Sequence, residues 1–137
     1  MGRADQGPFS IACLLRGTTQ FMMDLLTEDP KLIADVLDYC RRISAVFAKA
    51  QKDAGAHATS IGDAFAGPNL ISPDMYRQFA FEPERKLVEE VQDYGIPFSV
   101  HICGDTTGII GDIGPHRSPH PRGGLETRHG RSAPSRA

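Results

Sequence analysis

In residues 94–105, YGIPFSVHICGD, the end of a predicted helix is followed by a predicted strand. Gly95 is typical of a helix end, an apolar run over 98–102 follows it, and polar residues come directly after that run. Short helix-to-strand turns of this kind favour parallel strands joined by right-handed crossovers. The stretch therefore predicts an α/β fold whose chemistry lies at the carboxyl ends of its strands.

An earlier stretch, residues 29–63, shows the same pattern with a longer helix. Asp29 can cap a long helix, Pro30 suits its first position, and Gly55 suits its end. A short run over 58–61 then predicts a buried strand that ends in Gly62-Asp63. The apolar residues of the helix recur at helical spacing: Leu32, Ile33, Val36, Leu37, Cys40, Ile43 and Phe47.

Two further segments complete the succession of strands and helices. Gly7-Pro8 opens an apolar run over 9–15, which we interpret as the first buried strand, with a short helix over 20–26 after it. Ser72-Pro73 opens another helix, and Pro83 can start it again. The predicted fold is α/β, with about three parallel strands and crossover helices. A complete (β/α)₈ barrel needs about 250 residues, so 137 residues correspond to an open sheet or a fragment of a barrel.

Three polar residues mark the predicted strand ends. Asp63 ends one strand, and His101 and Cys103 end the next. Because alternate side chains of a strand share a face, His101 and Cys103 project together, and imidazole with thiolate is a preferred zinc ligand set. A two-residue pattern of this kind also arises by chance. Asp63 has an alternative role as the cap of a turn or helix.

The remaining cysteines and histidines of the first 113 residues suit structural roles better. Cys13 and Cys40 fall on apolar elements and are interpreted as core residues, while His57 precedes its strand and is interpreted as a surface histidine. Three cysteines do not suggest a disulfide framework. No apolar run is long enough to span a bilayer and no secretory signal is evident, so we expect no membrane association and a cytoplasmic protein.

The net charge of -2 hides two regions of opposite sign. Residues 1–113 carry -6, whereas residues 114–137 carry +4 and are rich in Arg, Pro and Gly. One interpretation makes the second region a basic arm of a non-enzymatic binding protein. The favoured one is a disordered or frameshifted tail, because it has too few large apolar residues to form a core and begins abruptly within an ordered unit. Nucleic acid is accordingly not expected as a partner.

Five motifs in order resemble the uroporphyrinogen decarboxylase superfamily over about residues 7–113. The resemblance is closest to its zinc-dependent cobamide methyltransferases, because of the His-x-Cys-Gly motif, and it implies a fragment of a (β/α)₈ barrel. The motifs are Gly7-Pro8-Phe9-Ser10, Met22-Met23-Asp24-Leu25-Leu26, Ile61-Gly62-Asp63-Ala64-Phe65-Ala66, Ile71-Ser72-Pro73-Asp74-Met75-Tyr76-Arg77 and His101-Ile102-Cys103-Gly104-Asp105-Thr106.

This resemblance implies a specific chemistry. His101 and Cys103 would be two zinc ligands, a cysteine late in the barrel would be the third, and Asp63 would line the pocket. The implied reaction moves a methyl group from a methylcorrinoid on a partner protein to a small thiol. Nothing after residue 113 resembles the later strands, so we expect this chain to be inactive alone. The alternative within the superfamily is cofactor-free decarboxylation of uroporphyrinogen in tetrapyrrole biosynthesis.

Overall fold

A computed structural model describes residues 6–113, which fold into helices packed on a small parallel sheet. The predicted tail over 114–137 lies outside the described residues. Among the helices of the described part, none is long and apolar enough to cross a membrane. The elements, in chain order, are α1 (Pro8–Arg16), α2 (Thr18–Thr27), α3 (Pro30–Asp53), β1 (Thr59–Gly62), α4 (Pro73–Met75), α5 (Phe81–Asp93), β2 (Phe98–His101) and α6 (Ile110–Ile113).

The sheet has β1 paired in parallel with β2, in a register that places Gly62 opposite His101. On its other side, Gly62 forms an isolated parallel bridge with Gln6. The chain just before α1 therefore lies beside β1 and runs parallel to it, as a third strand of the sheet would. The predicted strands near 58–61 and 98–102 are confirmed to within a residue or two at their ends.

The strand predicted over 9–15 is wrong, because this segment is helix α1. Pro8 occupies the first helical turn, after Gly7 as the N-cap residue. The buried residues of α1 fall at helical spacing, whereas Leu14 and Leu15 are 58% and 68% exposed. An apolar run of seven residues suits a buried strand or a helix equally well in the sequence, and here the proline marks a helix start.

The long helix α3 is confirmed from its cap to its end. Asp29 accepts a hydrogen bond from the Lys31 backbone N–H at 2.8 Å, and the helix continues to Asp53. Its buried face differs from the predicted one, since small residues contribute to it. The buried positions are Ile33, Leu37, Cys40, Ser44, Ala45 and Ala48, while Leu32, Ile43 and Phe47 are exposed.

Pro83 does not restart a helix, because it lies two residues inside α5. A π-helical turn over Tyr76–Ala80 joins α4 to α5, so that helical structure is continuous from Pro73 to Asp93. Proline has no N–H to donate to the preceding turn, and a wider turn is one way in which a helix accommodates such a break.

One face of the sheet is covered by the helices and the other is open within the described residues. Residues Thr59, Ile61, Phe98 and Val100 are buried, and the residues that alternate with them are partly or fully exposed. The helices α3 and α5 pack against each other and against the buried face. The open face carries His101 at its carboxyl edge, so this edge positions the candidate site.

Candidate functional site at the strand ends

His101 and Cys103 meet on the open side of the sheet. The Sγ of Cys103 lies 3.2 Å from Nε2 of His101, and both side chains are exposed. Ile102, between them, is 5% exposed and anchors the segment to the core on the opposite side. The alternation expected of a strand thus brings the two predicted ligands together.

The segment after Cys103 turns sharply and then winds into a short helical turn. Gly104 has a φ of 101°, in the left-handed region that favours glycine. The Asp105 side chain accepts a hydrogen bond from the Thr107 backbone N–H at 3.0 Å and so caps the 3₁₀ turn Thr106–Gly108. The chain leaves the site along a defined path.

The third predicted site residue, Asp63, has a different environment. Its side chain is 0% exposed and accepts hydrogen bonds from the Ser10 backbone N–H at 2.7 Å, from Ser10 Oγ at 2.6 Å and from the Phe9 backbone N–H at 3.3 Å. These are donors of the first turn of α1, which has no capping side chain of its own. The carboxylate therefore caps a helix that begins more than 50 residues earlier in the chain.

Asp63 is close to His101 through the backbone rather than through its side chain. Its N–H donates to the His101 carbonyl at 2.9 Å. The side chain continues the buried alternation of Thr59 and Ile61, so that it faces the helices, whereas His101 is on the open side. A catalytic role of Asp63 stays a prediction.

Gly7 makes the approach of α1 to Asp63 possible. A Cβ atom at position 7 would lie 2.3 Å from the Asp63 Cγ. The Gly7 N–H also donates to the Gly62 carbonyl at 2.9 Å, which fixes the start of α1 on the edge of β1. Only a residue without a side chain fits between them.

A second buried carboxyl group, that of Glu84, faces Asp63. Glu84 is 6% exposed, and its Oε2 accepts a hydrogen bond from the Tyr76 hydroxyl. Its Oε1 is buried and has no donor within the described residues. Burial and then the charge of Asp63 raise the pKa of Glu84 well above its usual value, and a hydrogen bond with Asp63 acts in the same direction. Glu84 therefore holds its proton to a higher pH than an exposed glutamate does.

The pKa of Asp63 is also raised, by its complete burial, although the hydrogen bonds from Ser10 and Phe9 oppose the shift. Sequence reasoning missed Glu84, Tyr76 and Ser10 as members of this network. A signal for Glu84 exists, because it shares helical spacing with the buried residues Leu87, Val88 and Val91. An acidic residue on an apolar helix face indicates a buried carboxyl group with a partner.

We expect Glu84→Gln to flatten the dependence of stability on pH. Because the pKa of Glu84 is raised on folding, the native chain binds more protons than the unfolded chain does. The stability that Glu84 contributes is therefore complete below its usual pKa of about 4.5, and it is lost as pH rises through the pKa of the folded state. Glutamine stays neutral throughout. Urea unfolding at several pH values from 5 to 8 measures the slope.

The exposed Glu89, on the same helix, is the matched control for this measurement. Glu89→Gln is expected to leave the slope of the wild-type chain nearly unchanged, since exposed ion pairs contribute little. If Glu84→Gln retained the wild-type slope, the assignment of the proton to Glu84 would be wrong.

The other candidate ligands behave as structural residues. Cys13 and Cys40 are both 0% exposed, and burial raises their pKa values to about 12 and about 11, so both remain thiols. His57 is exposed, at the end of β1 remote from His101. The interpretation of these three residues as core and surface is consistent with these positions.

In parallel (β/α)₈ barrels the functional sites lie at the carboxyl ends of the strands, and His101 and Cys103 occupy that position here. The family model described as uroporphyrinogen decarboxylase (URO-D) matches residues 4–118. The chain belongs to this family, as the five motifs predicted.

The relatives fall into two functional groups. The methylcobamide:CoM methyltransferase MtbA of Methanosarcina mazei is 32% identical over 101 residues, which cover 74% of this chain and 29% of that protein. The uroporphyrinogen decarboxylase of Streptomyces coelicolor is 38% identical over 93 residues, covering 66% and 25%. The chain spans less than a third of the length of these relatives.

A solved structure supports the same fold. A methyltransferase from Methanosarcina mazei superimposes with a TM-score of 0.75 and 30% identity, over 83% of this chain and 33% of that one. The predicted fold class is therefore confirmed: the described residues form part of a (β/α)₈ barrel, with a parallel sheet and crossover helices.

Proposed function

We propose that this chain carries part of the active site of a zinc-dependent methyltransferase, which moves a methyl group from a methylcorrinoid on a partner protein to a small thiol. The observation that carries the proposal is the 3.2 Å contact between His101 Nε2 and Cys103 Sγ on the open side of the strand ends. The similarity to methylcobamide:CoM methyltransferases supports it.

The donor set fits zinc. Imidazole nitrogen and thiolate sulfur are preferred zinc ligands, and both side chains are exposed at one edge of the sheet. Within residues 6–113, no group of three His, Cys, Asp or Glu side chains could hold a metal ion. In this proposal a third protein ligand comes from another part of the barrel, since a catalytic zinc commonly has three protein ligands. When bound, zinc supplies a charge that keeps a substrate thiol in its reactive thiolate form.

The residues of this chain orient the two ligands. His101 is fixed by the pairing of β2 with β1 and by the Asp63 N–H on its carbonyl. Ile102 holds the intervening backbone in the core, and Gly104 allows the turn that leaves Cys103 accessible. In this proposal Asp63 acts indirectly, because it secures α1 and the backbone at the strand ends rather than touching substrate.

A second candidate function is the decarboxylation of uroporphyrinogen, which needs no metal. The 38% identity to the Streptomyces coelicolor enzyme favours it. The two functions differ in their need for zinc, so metal binding separates them before any activity is measured.

We expect the chain to bind zinc through His101 and Cys103. His101→Ala and Cys103→Ser should each weaken zinc binding by more than about 100-fold, because losing a ligand costs more than losing an outer hydrogen-bond partner, which costs about 10- to 100-fold. Competition with a chromophoric chelator measures the affinity. His57→Ala, which changes an exposed histidine at the other end of β1, is the matched control and should bind like the wild type.

Activity is tested with methylcobalamin and 2-mercaptoethanesulfonate, using residues 6–113 in place of the matching segment of the Methanosarcina mazei MtbA. Demethylation that requires zinc and Cys103 is the expected result. Two results together would instead support the decarboxylase function. The wild-type chain would bind no zinc, and carbon dioxide would be released from uroporphyrinogen without a metal.

A further inference from the structure

The first loop, residues 63–72 after β1, contacts the second loop, residues 102–109 after β2, and the contact involves their backbones. Gly67, in the first loop, is buried, and a Cβ atom there would lie 2.6 Å from the Cys103 carbonyl oxygen, closer than real Cβ atoms approach. A Cβ atom at Gly104 would lie 3.3 Å from the Pro68 ring. The backbone around Cys103 therefore rests directly on residues of the first loop.

The end of the second loop, at Gly108, contacts Pro73 and Arg77, which follow the first loop in the chain. A Cβ atom at Gly108 would lie 3.0 Å from Pro73. Arg77 donates from Nη2 to the Gly108 carbonyl and from Nε to Asp112 Oδ2, both at 2.8 Å. Asp74 pairs with the same guanidinium at 3.2 Å, so Arg77 joins the helical segment after the first loop to the end of the second loop.

We propose that Gly67 and Arg77 are positioning residues for the metal-binding segment, with Gly67 setting the location of Cys103 and Arg77 fixing the loop beyond it. This inference rests on the proposed function, since it assumes that His101 and Cys103 bind the metal. Neither residue supplies a ligand. They determine whether the two ligands stand at a distance that one ion can bridge.

The physical reason is the location of the contact at position 67. The Cys103 carbonyl belongs to the peptide that joins Cys103 to Gly104, and a side chain at position 67 must push this peptide away. Ile102 is anchored in the core, so the shift falls on Cys103 and moves its Sγ relative to His101. Because the Cys103 side chain is exposed, the shift changes ligand geometry more than core packing.

The test compares Gly67→Ala with Gly111→Ala in the full chain. No atom within 4 Å would meet a Cβ at Gly111, so this variant is the matched control. We expect Gly67→Ala to weaken zinc binding by about 10- to 100-fold, as for other losses of support around zinc ligands. It should also weaken the thiolate-to-Co²⁺ charge-transfer absorption of the cobalt-loaded chain, whereas Gly111→Ala should match the wild type in both.

Arg77→Gln gives a second measurement that does not depend on the fit at Gly67. It should lower zinc affinity by several-fold and speed amide hydrogen exchange over 104–112, whereas Arg42→Gln, at an exposed arginine of α3, should do neither. Wild-type affinity in Arg77→Gln would overturn the inference even if Gly67→Ala failed to fold. Wild-type affinity and absorption in a folded Gly67→Ala would overturn it as well. If the wild-type chain itself bound no zinc or Co²⁺, the proposed function would fail first.

Discussion

Replacing Gly7 with alanine is expected to lower the free energy of unfolding by about 3 kcal/mol, the upper end of the usual cost of overpacking a buried site. The new methyl group would lie 2.3 Å from the Asp63 Cγ, and neither side can retreat easily. Gly7 is tied to β1 through its N–H on the Gly62 carbonyl, and the Asp63 carboxylate is held by Ser10 and Phe9. Urea unfolding followed by circular dichroism measures the change.

Gly62→Ala is the control for this prediction. Gly62 precedes Asp63 in the chain, but a Cβ atom there would meet nothing within 4 Å. We expect Gly62→Ala to stay within about 1 kcal/mol of the wild type, because it adds no clash. Equal stability of the two variants would show that α1 does not approach Asp63 as described.

The second large effect is expected from Asp63→Ala, which should cost about 3 kcal/mol of unfolding free energy. The substitution removes the acceptor of the Ser10 N–H, the Ser10 hydroxyl and the Phe9 N–H in a site closed to water. Asp63→Asn retains one carbonyl oxygen but sets an amide NH₂ near those donors. It should therefore have an intermediate stability.

Asp29→Ala provides the comparison, because Asp29 caps α3 at an exposed position. An exposed cap of this kind contributes about 1 kcal/mol. If Asp63→Ala cost no more than Asp29→Ala, the buried carboxylate would not be the principal cap of α1. The comparison also bears on mechanism, since a stability loss at Asp63 has to be separated from any loss of activity.

Much of the architecture could be predicted from local patterns. Helix α3 has an aspartate cap, a proline at its first position and a glycine after its end, and the structure confirms all three. The strands β1 and β2 were recognisable as short runs of residues between a glycine and a polar residue. Each of these signals acts within a few residues, so a linear sequence contains it completely.

Helix α1 shows where this kind of reasoning fails. Its start has the same residue-then-proline signature as α3 and α4, but Gly7 has no side chain with which to cap it. The cap is Asp63, which lies more than 50 residues away in the chain. Without a local cap, the apolar run after Pro8 also suits a buried strand, and the proline is the local signal that favours a helix.

The family, the order of the strands and later helices, and the placement of His101 and Cys103 on one side of a strand end could be predicted from the sequence alone. These properties follow from local periodicity and from motifs in order. The packed structure was needed to show that Asp63 caps α1, that Glu84 shares its buried environment and that Gly67 lies against the Cys103 carbonyl. These contacts join segments far apart in the chain. Burial makes them energetically important, and burial is a property of the packed molecule rather than of any one segment.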